Sequence, residues 1–276
     1  MVKVISFSLW GDKPMYTIGA IKNADLSKQF YPDFECWFYI HKDTVPDNII
    51  NELGKRDNVK IILKEGDLNN IKPMMWRFEA IDHPEVELMM SRDSDTRFRK
   101  REILAVNDWI KSDKLFHIMR DHPHHSYKIL GGMFGTRKIE NFNWIEKINN
   151  FNQNGDRMYD QDFLGDIIYP LIKENCMIHA TFNKYESNCI SFPINYDNEY
   201  KFVGEYVYED ESRSPTHIEI LKNEFNKLPT FFDWQYYINN YEDLRNAGID
   251  NEEKAYDHWV NNGKSEGRIC YMYCNL

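Results

Sequence analysis

The first third of the chain alternates two hydrophobic periods. Val2–Ser8 is β-branched and aromatic and ends in Trp10–Gly11, which is the composition of a strand. Met15–Phe30 carries Ile18, Ile21, Leu26 and Phe30 at helical spacing and stops before Pro32. Cys36–Ile40 (CWFYI) reads as a buried strand, Pro46–Leu53 as a short helix opened by proline, and Val59–Leu63 as a third strand. Pro73–Ile81 reads as a helix, and Val86–Met90 as a fourth strand that runs straight into Arg92-Asp93-Ser94-Asp95. Further on, Glu102–Lys111 reads as a helix, Leu115–Met119 as a strand, Asp160–Lys173 as an amphipathic helix and Cys176–Ala180 as a short strand carrying His179.

Strands and helices in strict alternation predict an α/β fold: a mixed, mainly parallel sheet flanked by helices. Ligands of such sheets sit beyond the carboxyl ends of the strands. Trp10–Gly11 and Arg92–Asp95 both fall at such ends, so one crevice is expected to hold them. Residues 1–205 read as this domain. From Glu205 the composition turns acidic (EYVYEDESR, then Pro215), and 206–228 reads as a linker or packing arm. Residues 229–276 read as a small helical C-terminal module of two helices, with Trp234, Tyr237, Leu244 and Trp259 at core-forming spacing.

At 276 residues, 42% hydrophobic, the chain can bury a full core. A net charge of −10 argues against a general nucleic-acid binder, which needs a basic face, but not against a nucleotide ligand. The five cysteines (36, 176, 189, 270, 274) are odd in number and form no CxxC pair, as scattered reduced thiols would. The N-terminal apolar run is too short for a signal peptide, and no run approaches the roughly 18 apolar residues of a membrane span. The expectation is a soluble, cytoplasmic protein.

Three polar blocks carry the candidate chemistry. Asp93-Ser94-Asp95 means little as a pattern: a chain with 23 aspartates holds about two such pairs by chance, and two occur. Its place after a buried strand is what matters. Hard carboxylate oxygens there suit Mg²⁺ or Mn²⁺, whose shell is completed by substrate phosphates. The arginines around it divide: Arg92 can offer a donor fork to an anion, whereas Arg97, Arg99 and Arg101 fit the solvated opening of the next helix. "HIMRDHPHHSYKILGG" (117–132) collects four histidines, Arg120, Asp121 and the Gly131–Gly132 pair. Its spacing matches no zinc pattern, and it reads as a polar loop facing substrate in which glycine lets backbone approach a ligand closely. "YDQDFLGDIIYP" (159–170) sets Asp160 and Gln161 at a helix start, where Asp160 can also serve as an N-cap. His179, within an apolar strand, is by default a core histidine.

With SFSLWG, SRDSDTR, MRDHPHHSYKILGGMFG, YDQDFL and MIHA in this order, residues 1–205 resemble a GT-A type (Rossmann-like), nucleotide-sugar-dependent glycosyltransferase. They are similar in particular to uncharacterised glycosyltransferase-like domains of bacteria and large DNA viruses. The tail resembles short helical modules attached to such enzymes. The resemblance implies Mn²⁺ (or Mg²⁺) held by Asp93, Asp95 and His179. It implies a nucleoside diphosphate sugar, by family frequency a UDP-sugar, against Ser8, Leu9, Trp10, Gly11, Tyr16, Arg77, Arg92, Asp93, Ser94, Arg120, His122, Gly131 and Gly132. The Asp160–Gln161 pair would lie beside the transferred sugar, with Asp162 or Asp121 taking the proton of a glycan or protein hydroxyl acceptor. Asn183 and Lys184 follow His179 without the spacing of the retaining, glycogenin-like branch, so retention and inversion stay open. The rival readings are a metal-dependent phosphoesterase or nucleotidyltransferase, and a non-catalytic nucleotide-sugar or carbohydrate-binding module. No oligomeric state follows from the sequence.

Overall fold

A computed structural model of the chain describes residues 1–66, 68, 72–151, 158–226 and 232–270. Seven strands form one sheet: β1 (Val2–Leu9), β2 (Phe34–His41), β3 (Val59–Lys64), β4 (Val86–Ser91), β5 (Phe116–Arg120), β6 (Phe134–Arg137) and β7 (Cys176–Ala180). Their order is β3-β2-β1-β4-β6-β5-β7. β6 is antiparallel to both of its neighbours, and the other six strands share one direction. This is the mixed, mainly parallel, helix-flanked sheet expected from the alternation. The order reverses between β1 and β4, which makes their carboxyl ends the natural ligand crevice.

Alternate residues of each strand face two separate cores. Ile5, Phe7 and Leu9 of β1, with Phe38, Met90 and Met119, pack under α1 (Pro14–Phe30), α2 (Asp47–Gly54) and α3 (Lys100–Lys111). Val4, Trp37, Tyr39, Met89 and Ile118 face the other side. There a 3₁₀ segment (Lys72–Asp82), α4 (Trp144–Asn150), α5 (Tyr159–Phe163) and α6 (Tyr169–Ile172) cover them. The segment expected as a helix over 73–81 is 3₁₀, and it is buried along most of its length, at Met75, Trp76, Arg77, Phe78, Ala80 and Ile81 among others.

Two elements differ from the periodicity. The single helix expected over 160–173 is α5, a π-helical turn (Leu164–Ile168), α6 and a 3₁₀ turn (Lys173–Asn175). Pro170 lacks the N–H that would bond the Asp166 carbonyl, and its ring crowds that carbonyl, so the turn widens. β6 follows directly on the Gly131–Gly132 block, in a stretch for which no strand was expected. Gly135 is its second residue, and a Cβ there would come 2.8 Å from the Trp109 ring, so glycine is what lets the strand pass beneath α3.

Residues 202–226 are packed against the sheet domain. Tyr206 bridges Thr96, the Val207 N–H donates to the Asp95 carbonyl at 2.8 Å, and α7 (Pro215–Phe225) lays His217 against His122. The expected boundary at 228/229 lies outside the described residues. Beyond it are three short helices where two were expected, α8 (Trp234–Asn240), α9 (Glu242–Asn246) and α10 (Glu252–His258). They close a small core of Tyr237, Leu244, Ala255 and Cys270, with Trp234 and Trp259 partly buried against it. The four described cysteines are buried and free; Cys274 lies outside the described residues. No described helix is long and apolar enough to cross a membrane.

Candidate active site

The carboxyl ends of β1 and β4 converge on one guanidinium. Arg77, 5% exposed, is fixed by its backbone N–H donating to Ser8 Oγ at the end of β1 (3.0 Å) and by Nη1 donating to the Arg92 carbonyl (3.3 Å). Its Nη1 also donates to Asp93 Oδ1, and its Nη2 to Asp160 Oδ2 at 2.6 Å. Residues 8, 77, 93 and 160, from four separate elements, are therefore one cluster. The backbone of Gly131–Gly132 closes its far wall. A Cβ on Gly131 would stand 2.1 Å from Asp160 Oδ2, and one on Gly132 would stand 2.0 Å from Asp93 Oδ2. The glycine backbone thus approaches the Asp93 and Asp160 carboxylates closely.

The electrostatics follow from burial. Burial opposes the charge on Arg77, but Asp93 and Asp160 outweigh it and hold its pKa above the usual range. Burial raises the Asp160 carboxyl, and Arg77 offsets this only in part. Asp95 is pushed up to about 7, first by burial and then by the charge of Asp93. A carboxylate whose proton affinity is raised by its neighbour forms with that neighbour a donor set that a divalent cation would relieve. Asp93, with 44% of its side chain exposed, is open to one. Hard oxygens of this kind fit Mg²⁺ or Mn²⁺.

His179 does not join them. Among the described residues no three His, Cys, Asp or Glu side chains are grouped to hold a metal ion. β7 stands three strands from β4, roughly 14 Å at ordinary strand spacing. His179 is fully buried, with Nδ1 2.9 Å from His117 Nε2, and burial lowers its pKa to about 3. It is a core histidine.

Four more expected site residues turn inward. Asp121 is 0% exposed and saturated. It accepts both forks of Arg101 (2.9–3.1 Å), Thr181 Oγ1 (2.9 Å), Tyr196 OH (2.7 Å) and the Val203 N–H (2.9 Å), which leaves no lone pair for an acceptor proton. Arg92 is spent on Glu102 (2.6 Å) and the carbonyls of Ser91 and Phe134. Arg120, fully buried, pairs with Glu186 and the Lys128 carbonyl. His122 stacks on Phe202 with ring centroids 4.5 Å apart and meets the His217 carbonyl through Nε2. The arginines expected at a solvated helix start are likewise buried or nearly so: Arg97 pairs with Glu211, Arg99 lies 3.6 Å from Glu205, and Arg101 holds Asp121.

The remaining positions line the approach. Leu9 belongs to the core, whereas Trp10 and Gly11 are half-buried at the end of β1, with the Gly11 N–H donating to Thr44 Oγ1 (3.0 Å). Tyr16 is partly buried on α1. Gln161 donates its N–H to Asp160 Oδ1 (2.9 Å), and Asp162 is half-buried on the next position of α5. Ser94 is buried, and its carbonyl accepts from Asn23 Nδ2 (3.1 Å). A Cβ on Gly19 would lie 2.1 Å from that carbonyl, so α1 presses directly on the Asp93–Asp95 loop. Gly19, alone inside a helical pattern, was the one local signal of this contact; nothing local marks Asn23, Val207 or Glu186.

No family model matches the chain, and no curated protein does. Solved structures similar to it include a glycosyltransferase involved in glycosylation of the major capsid of PBCV-1, at 13% identity and TM-score 0.45, covering 65% of this chain and 82% of that one. They include the galactosyltransferase LgtC with donor and acceptor sugar analogs, at 14% identity and TM-score 0.40, covering 64% and 73%. They also include 4-diphosphocytidyl-2C-methyl-D-erythritol synthase from Anaerococcus prevotii, at 13% identity and TM-score 0.42, covering 67% and 91%. Fold neighbours of this kind span more than one chemistry, so the site must carry any functional reading.

Proposed function

We propose that this chain transfers a sugar from a nucleoside diphosphate sugar to a hydroxyl acceptor. The observation that carries the reading is the Arg77–Asp93–Asp160 cluster, walled by Gly131–Gly132 at the crossover between β1 and β4. A diphosphate needs cationic partners at a strand end, and a sugar needs fixed carboxylate acceptors beside it. Both occur here within one side chain of each other.

Asp93 and Asp95 would hold Mn²⁺ or Mg²⁺, which would supply neutralisation of the charge left on the departing diphosphate. Arg77 offers a fixed guanidinium to the same oxygens. Asp160, buried and pinned, accepts from sugar hydroxyls and orients the ring. Gln161 lies next to it, and Asp162 is the half-buried carboxylate left to take the acceptor proton once Asp121 is excluded. A nucleobase would stack at the end of β1 near Trp10, with uracil the first base to try.

Thermal shift against a panel of nucleoside diphosphates, their sugars and CTP, with and without Mn²⁺, tests this in wild type and Asp95→Ala. The expected result is stabilisation by a nucleoside diphosphate sugar that requires Mn²⁺ and is lost in the variant. A response to CTP alone would replace transfer of sugar by transfer of a nucleotidyl group. No response to any nucleotide would overturn the reading.

A further inference from the structure

We propose that His124 and His217 form a clamp for an exchangeable divalent ion of the Zn²⁺, Ni²⁺ or Cu²⁺ class, which fastens α7 to the loop after β5. The site is separate from the Asp93–Asp95 carboxylates and stands whether or not the chain transfers a sugar.

The loop after β5 sets His122 and His124 against the first turn of α7, where His217 lies. The three rings form a triangle. Their centroids are 5.0 Å apart for His122–His124, 5.3 Å for His122–His217 and 5.3 Å for His124–His217. Zinc–nitrogen bonds of about 2.0–2.1 Å put two imidazoles on one tetrahedral ion at roughly this centre-to-centre spacing.

His122 is the tie of the clamp and not a ligand. It is 1% exposed, its Nδ1 accepts the His124 N–H (3.1 Å), and its Nε2 donates to the His217 carbonyl (3.0 Å). Both of its nitrogens are spent, and what they hold together is the backbone of the two outer histidines. His124 is exposed and His217 half-buried, and neither ring has a hydrogen-bond partner among the described residues. Each can therefore turn a nitrogen toward a shared ion at the surface.

Imidazole suits Zn²⁺, Ni²⁺ and Cu²⁺, whereas Mn²⁺ and Mg²⁺ prefer the oxygens of carboxylates. Two protein ligands fall short of the three or four of a resident zinc site, so water completes the shell and the ion exchanges. The positive end of α7 opposes a cation, but Ser214 already accepts the His217 N–H, and one helix end counts for little beside a metal–nitrogen bond. The clamp also reaches the carboxylate loop, because the arm that leads into α7 donates its Val207 N–H to the Asp95 carbonyl.

Calorimetric titration of Zn²⁺ into the intact protein at neutral pH, with Mg²⁺ in excess, tests the clamp. Wild type is compared with His124→Gln, His217→Gln and Asp95→Ala. The expected result is one ion per chain in wild type and unchanged affinity in Asp95→Ala. Each histidine variant should bind at least about tenfold more weakly, since even the outer partners of a metal site are worth that much. Hydrogen exchange of the α7 amides should slow several-fold when Zn²⁺ is added to wild type, and not in either histidine variant. Binding untouched by either histidine substitution, or α7 exchange unaffected by bound Zn²⁺, would overturn the proposal. So would affinity lost in Asp95→Ala, which would place the ion on the carboxylates, or no Zn²⁺ binding by wild type. Should His217→Gln not fold, His124→Gln, at an exposed position, decides by the same two measurements.

Discussion

Asp121 and Asp160 are both buried aspartates in polar runs, and their neighbours give them different roles. Asp121 spends its oxygens on Arg101, Thr181, Tyr196 and the Val203 amide. Asp160 faces a single guanidinium beside the exposed edge of Asp93. Asp121→Asn is thus expected to act on stability. It removes the carboxylate charge that balances the buried Arg101, at a cost of about 3 kcal/mol, which lowers the melting midpoint by roughly 6–12 °C in a chain of this size. Calorimetry checks it. Full stability with abolished transfer would instead make Asp121 the base. At this scale the sequence separated polar from apolar positions well. It could not tell an inward-facing ion pair from a ligand site, because Arg92, Arg101 and Arg120 find Glu102, Asp121 and Glu186 only on folding.

Among the elements, the strand that delivers Asp93–Asp95 was legible from its apolar run and its place in the series. What holds the loop still was not. α1 supports it through Gly19 and Asn23, and the 205–213 arm covers it through the Asp95–Val207 bond and through Glu211, which accepts from Lys22 (2.7 Å) and Arg97 (2.9 Å). Glu211 is half-exposed, so Glu211→Gln should cost under about 1 kcal/mol of global stability. The expected effect is local: hydrogen exchange of the Val207 amide should speed several-fold while the β1 amides are unchanged. Uniform exchange rates across the two proteins would show that the arm does not depend on this residue. The arm read as a candidate linker because its acidic run resembles solvated chain. Its partners lie 114 and 189 residues away in the sequence.

For the whole molecule, buried imidazoles set the acid limit. Burial lowers His122 to about 4, His125 to about 3 and His179 to about 3. An unfolded histidine titrates near 6.5. Below that pH the unfolded chain therefore binds protons that the folded chain refuses. Their contribution is complete above about pH 6.5 and is lost progressively as pH falls toward 4 and 3. Denaturant unfolding across pH 4–7 should show stability falling with acidity. His179→Leu should remove the uptake of about one proton from that dependence. A slope unchanged by this substitution would place His179 in contact with solvent or an ion.

Hydrophobic periodicity by itself determined the sheet class, most strand and helix positions, and the carboxyl ends where chemistry can occur. These depend on which residues leave water, and that is written locally. The polar blocks gave Asp93, Asp160 and the diglycine as candidates of the right type, and the family resemblance gave Arg77. Only the tertiary structure decided that these four meet, that His179 does not join them, and that Asp121, Arg92, Arg120 and His122 face inward. A charged side chain takes its role from the nearest opposite charge, and across a sheet that charge comes from a strand or arm distant in sequence.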